Sequence, residues 1–428
     1  MVVLIVSSTV WDVSNSFGNT FSNLFSGIDD LEIYNICCRN GQSNNSIVKK
    51  AIQITDKSVL KSIYKRRYDP CWIMDNASVG NKNNGEVYER AKKSRKIVYF
   101  IIRDLMWKFG RWKKSKALNA FLDEIKPDVL YLPIYHSQHI SDVQQYVIDK
   151  LNVPVVGHIS DNVYAISPNL GIVGRFRSKS ILKKVKRLIS QCNYLEVFAE
   201  NMAEEYSKTF SVPCYVIGKG VEVNSLSGVS VSTDNCRKKK FVYTGNINQE
   251  RFNSLLKIGK ALQQFSGENG AVLEMYSATM LNEKMKREIN SCPCMQFKGK
   301  ISKEEVDEVQ KEADFLIHVE GFGPQAIFEA GMSFSTKIID YMSVGKPIFA
   351  VGSESINSIR VLSNRNAAIV AKNEDDINTK IKELLNNEID VNTVLHNAHD
   401  YLINERDIQK IQGGIKERLF KLFHKAEQ

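Results

Sequence analysis

The strongest constraint on the fold is an alternation of short apolar runs with segments of helical period. In the first half, apolar runs at 2–7, 128–133 and 153–160 predict buried strands, and amphipathic segments at 138–151 and 200–210 predict helices. Apolar strands that alternate with helices indicate a mostly parallel sheet covered by helices on both faces. The sequence therefore predicts an α/β fold.

The alternation breaks once and then restarts. The segment "NSLSGVSVSTDNCRKKK" (224–240) is rich in Ser, Gly and charge and predicts a linker, after which the strand pattern resumes. A chain of 428 residues suits two domains. The predicted parts are a Rossmann-like domain at 1–217, a linker at 218–240, a second Rossmann-like domain at 241–400, and a C-terminal helix at 401–428 that can pack back on the first domain. Two such doubly wound domains would face each other across a cleft, at the strand ends where open α/β sheets bind ligands.

Composition limits the partners and the compartment. The formal net charge of +10 favours anionic partners such as phosphates, acidic membranes or nucleic acid. No nucleic-acid-binding motif, phosphate loop or Gly-x-Gly-x-x-Gly motif is present, so neither nucleic acid nor a dinucleotide cofactor is predicted. The eight cysteines form no zinc or disulfide pattern, and no signal peptide or long apolar run is found. These features predict a cytoplasmic protein.

One basic segment carries aromatic side chains. Segment 92–116, "KKSRKIVYFIIRDLMWKFGRWKKSK", mixes Trp107, Phe109 and Trp112 with many Lys and Arg. Such composition suits an interfacial helix on an anionic bilayer. The alternative is a solvated basic face with its aromatic side chains packed inward. For the second basic stretch, 174–187, the solvated face is the preferred interpretation.

A lysine at a predicted helix start suggests an anion site. In "FSTKIIDYM", Ser335 is a natural N-cap, Thr336 takes the first helical position, and Lys337 lies in the first turn. A cation there is unfavourable by up to about 1 kcal/mol unless an anion sits beside it. Hydroxyls, backbone N–H groups and Lys337 together can bind such an anion. The alternative is an ordinary capped helix with a surface pair between Lys337 and Asp340.

Two further stretches lie at predicted strand ends of the second domain. "YTGNINQER" places a turn at Gly245 and Asn246 before a helix that opens near Arg251, and an arginine here can reach a diphosphate. An exposed helix arginine is the alternative. "HVEGFGPQ" places Glu320 before a glycine-rich turn, where an acid can hold a sugar hydroxyl.

In order along the chain, "YTGN…R", "LEMYS", "FKGKIS", "VEGFG" and "STKIIDYMSVGKPI" resemble the donor-binding domain of GT-B-fold glycosyltransferases that use nucleotide sugars, such as those of bacterial surface-polysaccharide assembly. The resemblance covers about 215–370. It implies that Arg251 and Lys337 neutralise the donor diphosphate, helped by Ser335 and Thr336, and that Asp340 binds the ribose. The backbone at Lys300 and Ile301 would meet the base.

The match departs from the family in several places. The larger retaining families have two Glu separated by seven residues, whereas Glu320 and Asp340 are twenty apart here. Whether Glu320 or Glu329 faces the sugar is therefore open. At the interdomain hinge "VIGKGVE", Lys219 replaces the usual asparagine.

In the first domain, the resemblance implies catalytic or sugar-positioning roles for His158 and Asp161, at the end of the strand 153–160. A hydrogen-bonded strand-end residue is the alternative for His158. The loop 14–21 after the first strand holds Gly18 and Asn19, where similar enzymes let donor and acceptor approach the backbone.

The resulting hypothesis is a metal-independent glycosyltransferase, of hexosyl or N-acetylhexosaminyl type, that uses a nucleoside-diphosphate sugar. The absence of an Asp-x-Asp triplet fits a reaction without a metal or other cofactor. Its acceptor would be a glycan or a lipid-linked glycan, and an anionic membrane surface reached through 92–116 is a candidate partner. The alternatives are a nucleotide-sugar epimerase on the same fold and a non-catalytic protein that binds membranes or polyanions.

Overall fold

The computed structural model of the chain describes residues 1–74, 97–226, 238–266 and 270–426. The chain divides into two compact units. The first unit is Met1–Gly218 together with Gln409–Gln428, and the second is Lys219–Ile408. Residues 92–96 of the basic segment and 227–237 of the predicted linker lie outside the described residues.

The first unit is built on an eight-stranded sheet. Its strands are β1 (Val2–Ser7), β2 (Glu32–Cys37), β3 (Val48–Ile54), β4 (Cys71–Met74), β5 (Val129–Pro133), β6 (Val155–Ile159), β7 (Tyr194–Val197) and β8 (Cys214–Val216). The order across the sheet is β4-β3-β2-β1-β5-β6-β7-β8, and all pairs are parallel except β3 with β4. Val3, Leu4, Ile5 and Val6 of β1 are fully buried, as expected for a central strand between two helical layers.

Helices cover both faces of this sheet. They are α1 (Ser16–Phe25), α2 (Asp56–Tyr64), α3 (Ile97–Phe109), α4 (Lys116–Ile125), α5 (Gln138–Leu151), α6 (Ile172–Ile189) and α7 (Glu200–Phe210). The predicted helices at 138–151 and 200–210 coincide with α5 and α7. The predicted loop at 14–21 is wrong: Asn15 accepts a hydrogen bond from the Gly18 N–H and caps α1, so Gly18 and Asn19 lie in its first turn.

The second unit is built on a six-stranded, wholly parallel sheet. Its strands are β9 (Lys239–Thr244), β10 (Ala271–Tyr276), β11 (Met295–Gly299), β12 (Phe315–Val319), β13 (Ile348–Val351) and β14 (Ile369–Ala371). Their order is β11-β10-β9-β12-β13-β14, the doubly wound order of nucleotide-binding sheets. The apolar runs at 241–244, 271–277, 295–299, 314–319 and 347–352 predict the first five of these strands.

Two hydrophobic layers enclose the second sheet. Its helices are α8 (Gln249–Phe265), α9 (Glu283–Asn290), α10 (Lys303–Lys311), α11 (Pro324–Ala330), α12 (Thr336–Ser343), α13 (Asn357–Asn364), α14 (Glu374–Leu385) and α15 (Val391–Glu405). Side chains of α8, α9 and α14 form one apolar layer, and side chains of α12, α13 and α15 form the other. The predicted domain boundary at residue 400 falls inside α15.

The last helix, α16 (Ile408–Ala426), belongs almost wholly to the first unit. Ile415 and Leu419 are fully buried in the apolar cluster that contains Phe21 and Phe25 of α1. The Gln412 amide donates a 2.8 Å hydrogen bond to the backbone carbonyl of Asn23. The chain thus returns to its first unit at the C-terminus.

Across the described ranges, no helix combines the length and apolar character needed to cross a membrane.

Candidate functional site

The second sheet has its topological switch point between β9 and β12. Strands β10 and β11 lie on one side of this pair, and β13 and β14 lie on the other. Ligands of open α/β sheets bind outside the carboxyl ends of the strands at such a point. Thr244 ends β9 and Glu320 directly follows β12, so both residues lie at this edge.

Lys337, in the first turn of α12, reaches into this edge. Its ammonium donates a 3.3 Å hydrogen bond to the carbonyl of Thr244 and lies 5.9 Å from the centre of the Tyr243 ring. Gly245 makes the approach possible, because a Cβ at this position would overlap the Lys337 ammonium. Its φ of +151° also lies in a region that favours glycine. The turn and the lysine are therefore matched to each other.

The surroundings of Lys337 disfavour its charge. Burial, together with the nearby guanidinium of Arg251, lowers the pKa of Lys337 to about 8, against the opposing influence of Glu320 and Asp340. Among the described residues, no carboxylate forms an ion pair with its ammonium. A lysine with this pKa is mostly charged at neutral pH but loses its proton more readily than an ordinary lysine, and an anion bound beside it would stabilise the charged form.

Arg251, near the start of α8, is paired with Glu320. The guanidinium donates to both carboxylate oxygens, with Nη2–Oε1 at 2.8 Å and Nε–Oε2 at 3.1 Å. Glu320 is buried, and 27% of the Arg251 side chain is exposed. The pair leaves the ammonium of Lys337 as a surplus positive charge in this cluster. Arg251 is thus held in place by Glu320 instead of standing as an exposed helix arginine.

Lys337, Arg251 and Glu320 line a small pocket at this edge of the sheet, and buried hydroxyl and imidazole groups complete its lining. The Tyr341 hydroxyl lies 2.9 Å from the Thr244 hydroxyl, which also accepts a 3.0 Å hydrogen bond from Gln310. His318 Nε2 lies 3.2 Å from the Ser358 hydroxyl, and burial lowers the pKa of His318 to about 4, so it is neutral. The pocket leaves about 10 Å³ of free space, room for about one water.

The N-terminus of α12 opens on the same pocket. Ser335 is the N-cap residue, as predicted, but its side chain makes no capping hydrogen bond. The Ile338 N–H donates 3.1 Å to the carbonyl of Ser335 instead. Ser335 lines the pocket, and Thr336 takes the first helical position. The hydroxyl of an N-cap residue that does not cap its own helix can donate to an anion there.

Asp340, one turn further along α12, has a different partner. Its carboxylate pairs with the ammonium of Lys219, whose side chain is 13% exposed against 44% for Asp340. The predicted alternative, a surface pair between Lys337 and Asp340, is therefore wrong. Lys219, which replaces the usual asparagine of the hinge motif, engages the side chain that the resemblance assigned to the ribose.

The remaining donor-side residues lie around this centre. Asn246, exposed in the turn after β9, accepts a 2.6 Å hydrogen bond at its carbonyl from the Tyr243 hydroxyl. Lys300 and Ile301 follow β11, two strands from β9 and hence about 10 Å away. Glu329 is exposed on α11 and accepts a hydrogen bond from Gln325. Of the two candidate acids, Glu320 is the one that lines the pocket.

His158 lies in the core of the first unit. It is 3% exposed, its Nδ1 is 3.2 Å from the Tyr131 hydroxyl, and the rings of Phe21 and Phe198 lie 5.0 and 5.1 Å away. Burial lowers the pKa of His158 to about 3. His158 does lie near the end of its strand, β6, but it is buried there, and the geometry favours the alternative of a hydrogen-bonded structural histidine.

The network around His158 ends in a buried ion pair. Tyr131 donates 2.7 Å to Glu196, which is fully buried, and Arg418 of α16 donates 2.6 Å to the other oxygen of that carboxylate. Asp161 is exposed beyond the end of β6. Gly18 is packed against the backbone of Asp12, so no further backbone can approach its Cα from that side.

Sequence reasoning did not identify several pocket residues as part of the site. Tyr243, Thr244 and His318 line the pocket, yet they occur in strands whose apolar pattern indicates only burial. For Tyr341 a signal existed, since it shares a helix face with Lys337 at a spacing of four residues. Among the described residues, no group of three His, Cys, Asp or Glu side chains could hold a metal ion.

No protein-family model matches the chain, and no curated protein matches it in sequence. Solved structures of nucleotide-sugar glycosyltransferases do match it. HepE from Anabaena, in complex with UDP-glucose, is 11% identical with a TM-score of 0.63 over 98% of this chain and 100% of HepE. Sucrose-phosphate synthase from Thermosynechococcus elongatus is 10% identical with a TM-score of 0.63 over 99% and 100%. TarM from S. aureus, in a complex that contains UDP, is 11% identical with a TM-score of 0.58 over 99% and 100%.

The chain therefore has the GT-B fold of nucleotide-sugar glycosyltransferases, and the predicted fold class is confirmed.

Proposed function

We propose that the protein is a glycosyltransferase that transfers a hexosyl or N-acetylhexosaminyl group from a nucleoside-diphosphate sugar to a glycan or lipid-linked glycan. The observation that carries the proposal is Lys337. Its side chain is partly buried at the topological switch point, at a helix N-terminus, with a carbonyl as the hydrogen-bond acceptor of its ammonium. A diphosphate supplies the negative charge that this arrangement lacks.

The donor diphosphate binds at the mouth of the pocket. Lys337, the hydroxyl of Ser335 and the first backbone N–H groups of α12 contact the phosphate oxygens. Arg251, pre-oriented by Glu320, adds a second cation. The backbone at Lys300 and Ile301 contacts the base, two strands away. The likeness to HepE, whose structure holds UDP-glucose, supports a UDP-sugar as donor.

These groups act on the leaving group. When the bond from the anomeric carbon to the diphosphate breaks, negative charge grows on the phosphate oxygens. Lys337, Arg251 and the dipole of α12 stabilise that charge more strongly than the charge of the ground state. We propose that these cations suffice without a divalent metal, so that the rate is unchanged by a chelator.

On the acceptor side, Asp161 is the better candidate for a catalytic group. It is exposed beyond the carboxyl end of β6, whereas His158 is buried and hydrogen-bonded. A general base must reach the proton it removes. We propose a cytoplasmic enzyme, with His158 in a structural role.

A screen of nucleotide sugars tests this function. The purified protein is incubated with each donor of a panel, with and without glycan acceptors, and nucleoside diphosphate release is measured. We expect release from one donor above the level of a Lys337→Met control. Release from no donor, together with no binding of UDP, GDP or dTDP below the millimolar range, would overturn the proposal.

The same screen separates the two competing functions. An epimerase converts a donor into its isomer with no acceptor and releases no net nucleoside diphosphate. A non-catalytic binder of membranes or polyanions neither converts nor releases. Chromatography of the donor after incubation distinguishes these three results.

A further inference from the structure

Helix α3 presents an apolar stripe to solvent. Val98, Ile102, Leu105 and Phe109 are 48% to 67% exposed and recur at helical spacing along one face. The opposite face is buried through Arg103 and Trp107. The helix therefore has a packed side, which holds it on the unit, and an uncovered apolar side.

The N-terminus of α6 extends this stripe. Ile172, Val173 and Phe176 are 56% to 76% exposed. Arg177 of α6 forms a bidentate ion pair with Asp104 of α3, at 2.6 and 3.2 Å, so the two helices are held side by side. The apolar side chains of both helices thus belong to one region of the surface.

Helix α2, next to α3, carries three further exposed apolar side chains, Leu60, Ile63 and Tyr64. It adjoins α3 and the turn that follows α3, because Trp107 donates 2.6 Å to Asp56 and the Arg111 N–H donates 3.1 Å to Ser62. Ten of the sixteen exposed large apolar side chains within the described ranges lie on these three helices. We call these ten the apolar face: Leu60, Ile63, Tyr64, Val98, Ile102, Leu105, Phe109, Ile172, Val173 and Phe176. So dense a cluster of exposed apolar side chains marks an interaction surface.

The apolar face is bordered by positive charge. Helix α6 has seven Lys or Arg and no acidic residue, and 97–116 has six basic residues against one acid, Asp104. Asp104 is itself neutralised by Arg177. Exposed Lys179 and Lys183 follow Phe176 along α6, and exposed Lys113 and Lys114 follow Phe109.

We infer that the apolar face docks on the surface of an anionic lipid bilayer, with its side chains entering the headgroup region and the flanking Lys and Arg contacting lipid phosphates. Exposed apolar side chains within a basic border match such a surface on both counts. A second copy of the chain would bring like charges together, and a nucleic acid would leave the apolar side chains in water.

This face replaces the anchor predicted from the sequence. Trp107 and Trp112, the proposed interfacial aromatics, are each 1% exposed and pack inside the unit, so that part of the prediction is wrong. Phe109 remains, and α6, which the sequence assigned to a solvated basic face, joins it. The inference involves only the first unit and stands independently of the donor site.

A flotation experiment tests the inference. Wild type and Ile102→Ser/Phe176→Ser are mixed with vesicles of phosphatidylglycerol and phosphatidylcholine, and with vesicles of phosphatidylcholine alone. The matched control, Val13→Ser/Met280→Ser, removes exposed apolar side chains from elsewhere. We expect wild type and control to float with the anionic vesicles only, and partitioning of the double variant to fall at least about 10-fold. UDP binding of all three proteins is measured in parallel, which also reports that the variants are folded.

Three results would overturn the inference. The first is a wild type that stays with neither vesicle type. The second is a double variant that floats like the control, which would indicate simple attraction of the basic residues to polyanions. The third is a wild type that dimerises in light scattering while the double variant is monomeric, which would make the face a contact between two copies.

Discussion

Each sheet carries a cluster of charged side chains, and the two clusters differ in whether their charges are balanced. In the first unit, fully buried Glu196 receives hydrogen bonds from Arg418 and Tyr131, so its charge is matched within the fold. In the second unit, Glu320 is matched by Arg251, but Lys337 adds a further cation whose hydrogen bond goes to a carbonyl. The first cluster is neutral, and the second carries a surplus positive charge.

The difference separates a structural cluster from a binding site. A buried charge is costly unless it is paired, so a protein that leaves one unpaired loses stability at that point. The resemblance assigned a catalytic or sugar-positioning role to His158, yet it is buried among aromatic rings with its Nδ1 3.2 Å from the Tyr131 hydroxyl. Lys337 was predicted to bind an anion because its charge opposes the dipole of its helix, and among the described residues no carboxylate pairs with it. A bound anion is therefore expected to stabilise the protein most at Lys337.

The largest expected effect comes from breaking the neutral cluster. Arg418→Met leaves Glu196 buried without its cation, and we expect the free energy of unfolding to fall by about 3 kcal/mol. The control is Lys416→Met on the same helix. Lys416 pairs with Asp30 at an exposed position, so we expect no measurable change in the free energy of unfolding. Urea unfolding followed by tryptophan fluorescence compares the two. UDP affinity should stay unchanged in both, and equal stabilities of the two variants would contradict the assignment.

Removing the charge of Lys337 should weaken ligand binding without lowering stability. In Lys337→Met we expect stability to be equal to or higher than wild type, and the free energy of UDP binding to weaken by about 1.5–3 kcal/mol, as for a charge-assisted contact. Lys303→Met is the matched control, since Lys303 also lies in a helix first turn but is exposed. Calorimetric titration and thermal unfolding measure both quantities. A Lys337→Met protein that binds UDP like wild type would remove Lys337 from the site.

The lowered pKa of Lys337 adds a pH dependence. Because diphosphate favours the ammonium, binding should raise the pKa of Lys337 from about 8, and UDP affinity should fall by up to about tenfold per pH unit above that value. In the free protein, the unfolded lysine holds its proton to higher pH than the folded one, so this group contributes increasing stability as pH rises from about 8 towards about 10. Lys337→Arg, which does not titrate, should bind UDP with a flat profile from pH 7 to pH 9. A wild-type profile equally flat would count against the lowered pKa.

The smallest effect is expected at Asp340. Its pair with Lys219 is partly exposed, so Asp340→Ala should lower the free energy of unfolding by less than about 1 kcal/mol. Urea unfolding beside Arg418→Met places the two pairs on one scale. A loss as large as that of Arg418→Met would mean that the hinge pair is structural. Comparison of UDP with its 2′-deoxy analogue on the same variant checks the predicted ribose contact.

Local sequence pattern accounts for much of the fold. The bounds of α5 and α7 coincide with their predicted segments because amphipathic periodicity and adjacent strands marked both ends. Strand β3 was not predicted because two lysines interrupt its apolar run. The antiparallel edge strand β4 was not predicted because it has only four residues. Helix α1 was not predicted because Ser, Asn and Gly dominate its first turn. Asn15 caps this helix instead of belonging to a loop.

Long-range pairing explains what the sequence did not reveal about the site. The single-residue signals at Lys337, Arg251 and Glu320 were visible, and these three residues meet at one pocket. Their pairing was not visible, because Arg251 and Glu320 are 69 residues apart and Lys219 and Asp340 are 121 apart. Trp107 and Trp112 misled for the same reason: their basic neighbours in sequence are exposed, while their own rings pack on His139 and Tyr146.

An NMR titration of the Lys337 side chain, assigned by comparison with Lys337→Arg, tests the central claim most directly. In the free protein we expect a pKa of about 8. With saturating UDP we expect the pKa to rise above about 10, because the diphosphate supplies the negative charge that the fold leaves out. A pKa of Lys337 that is the same with and without UDP would contradict the account.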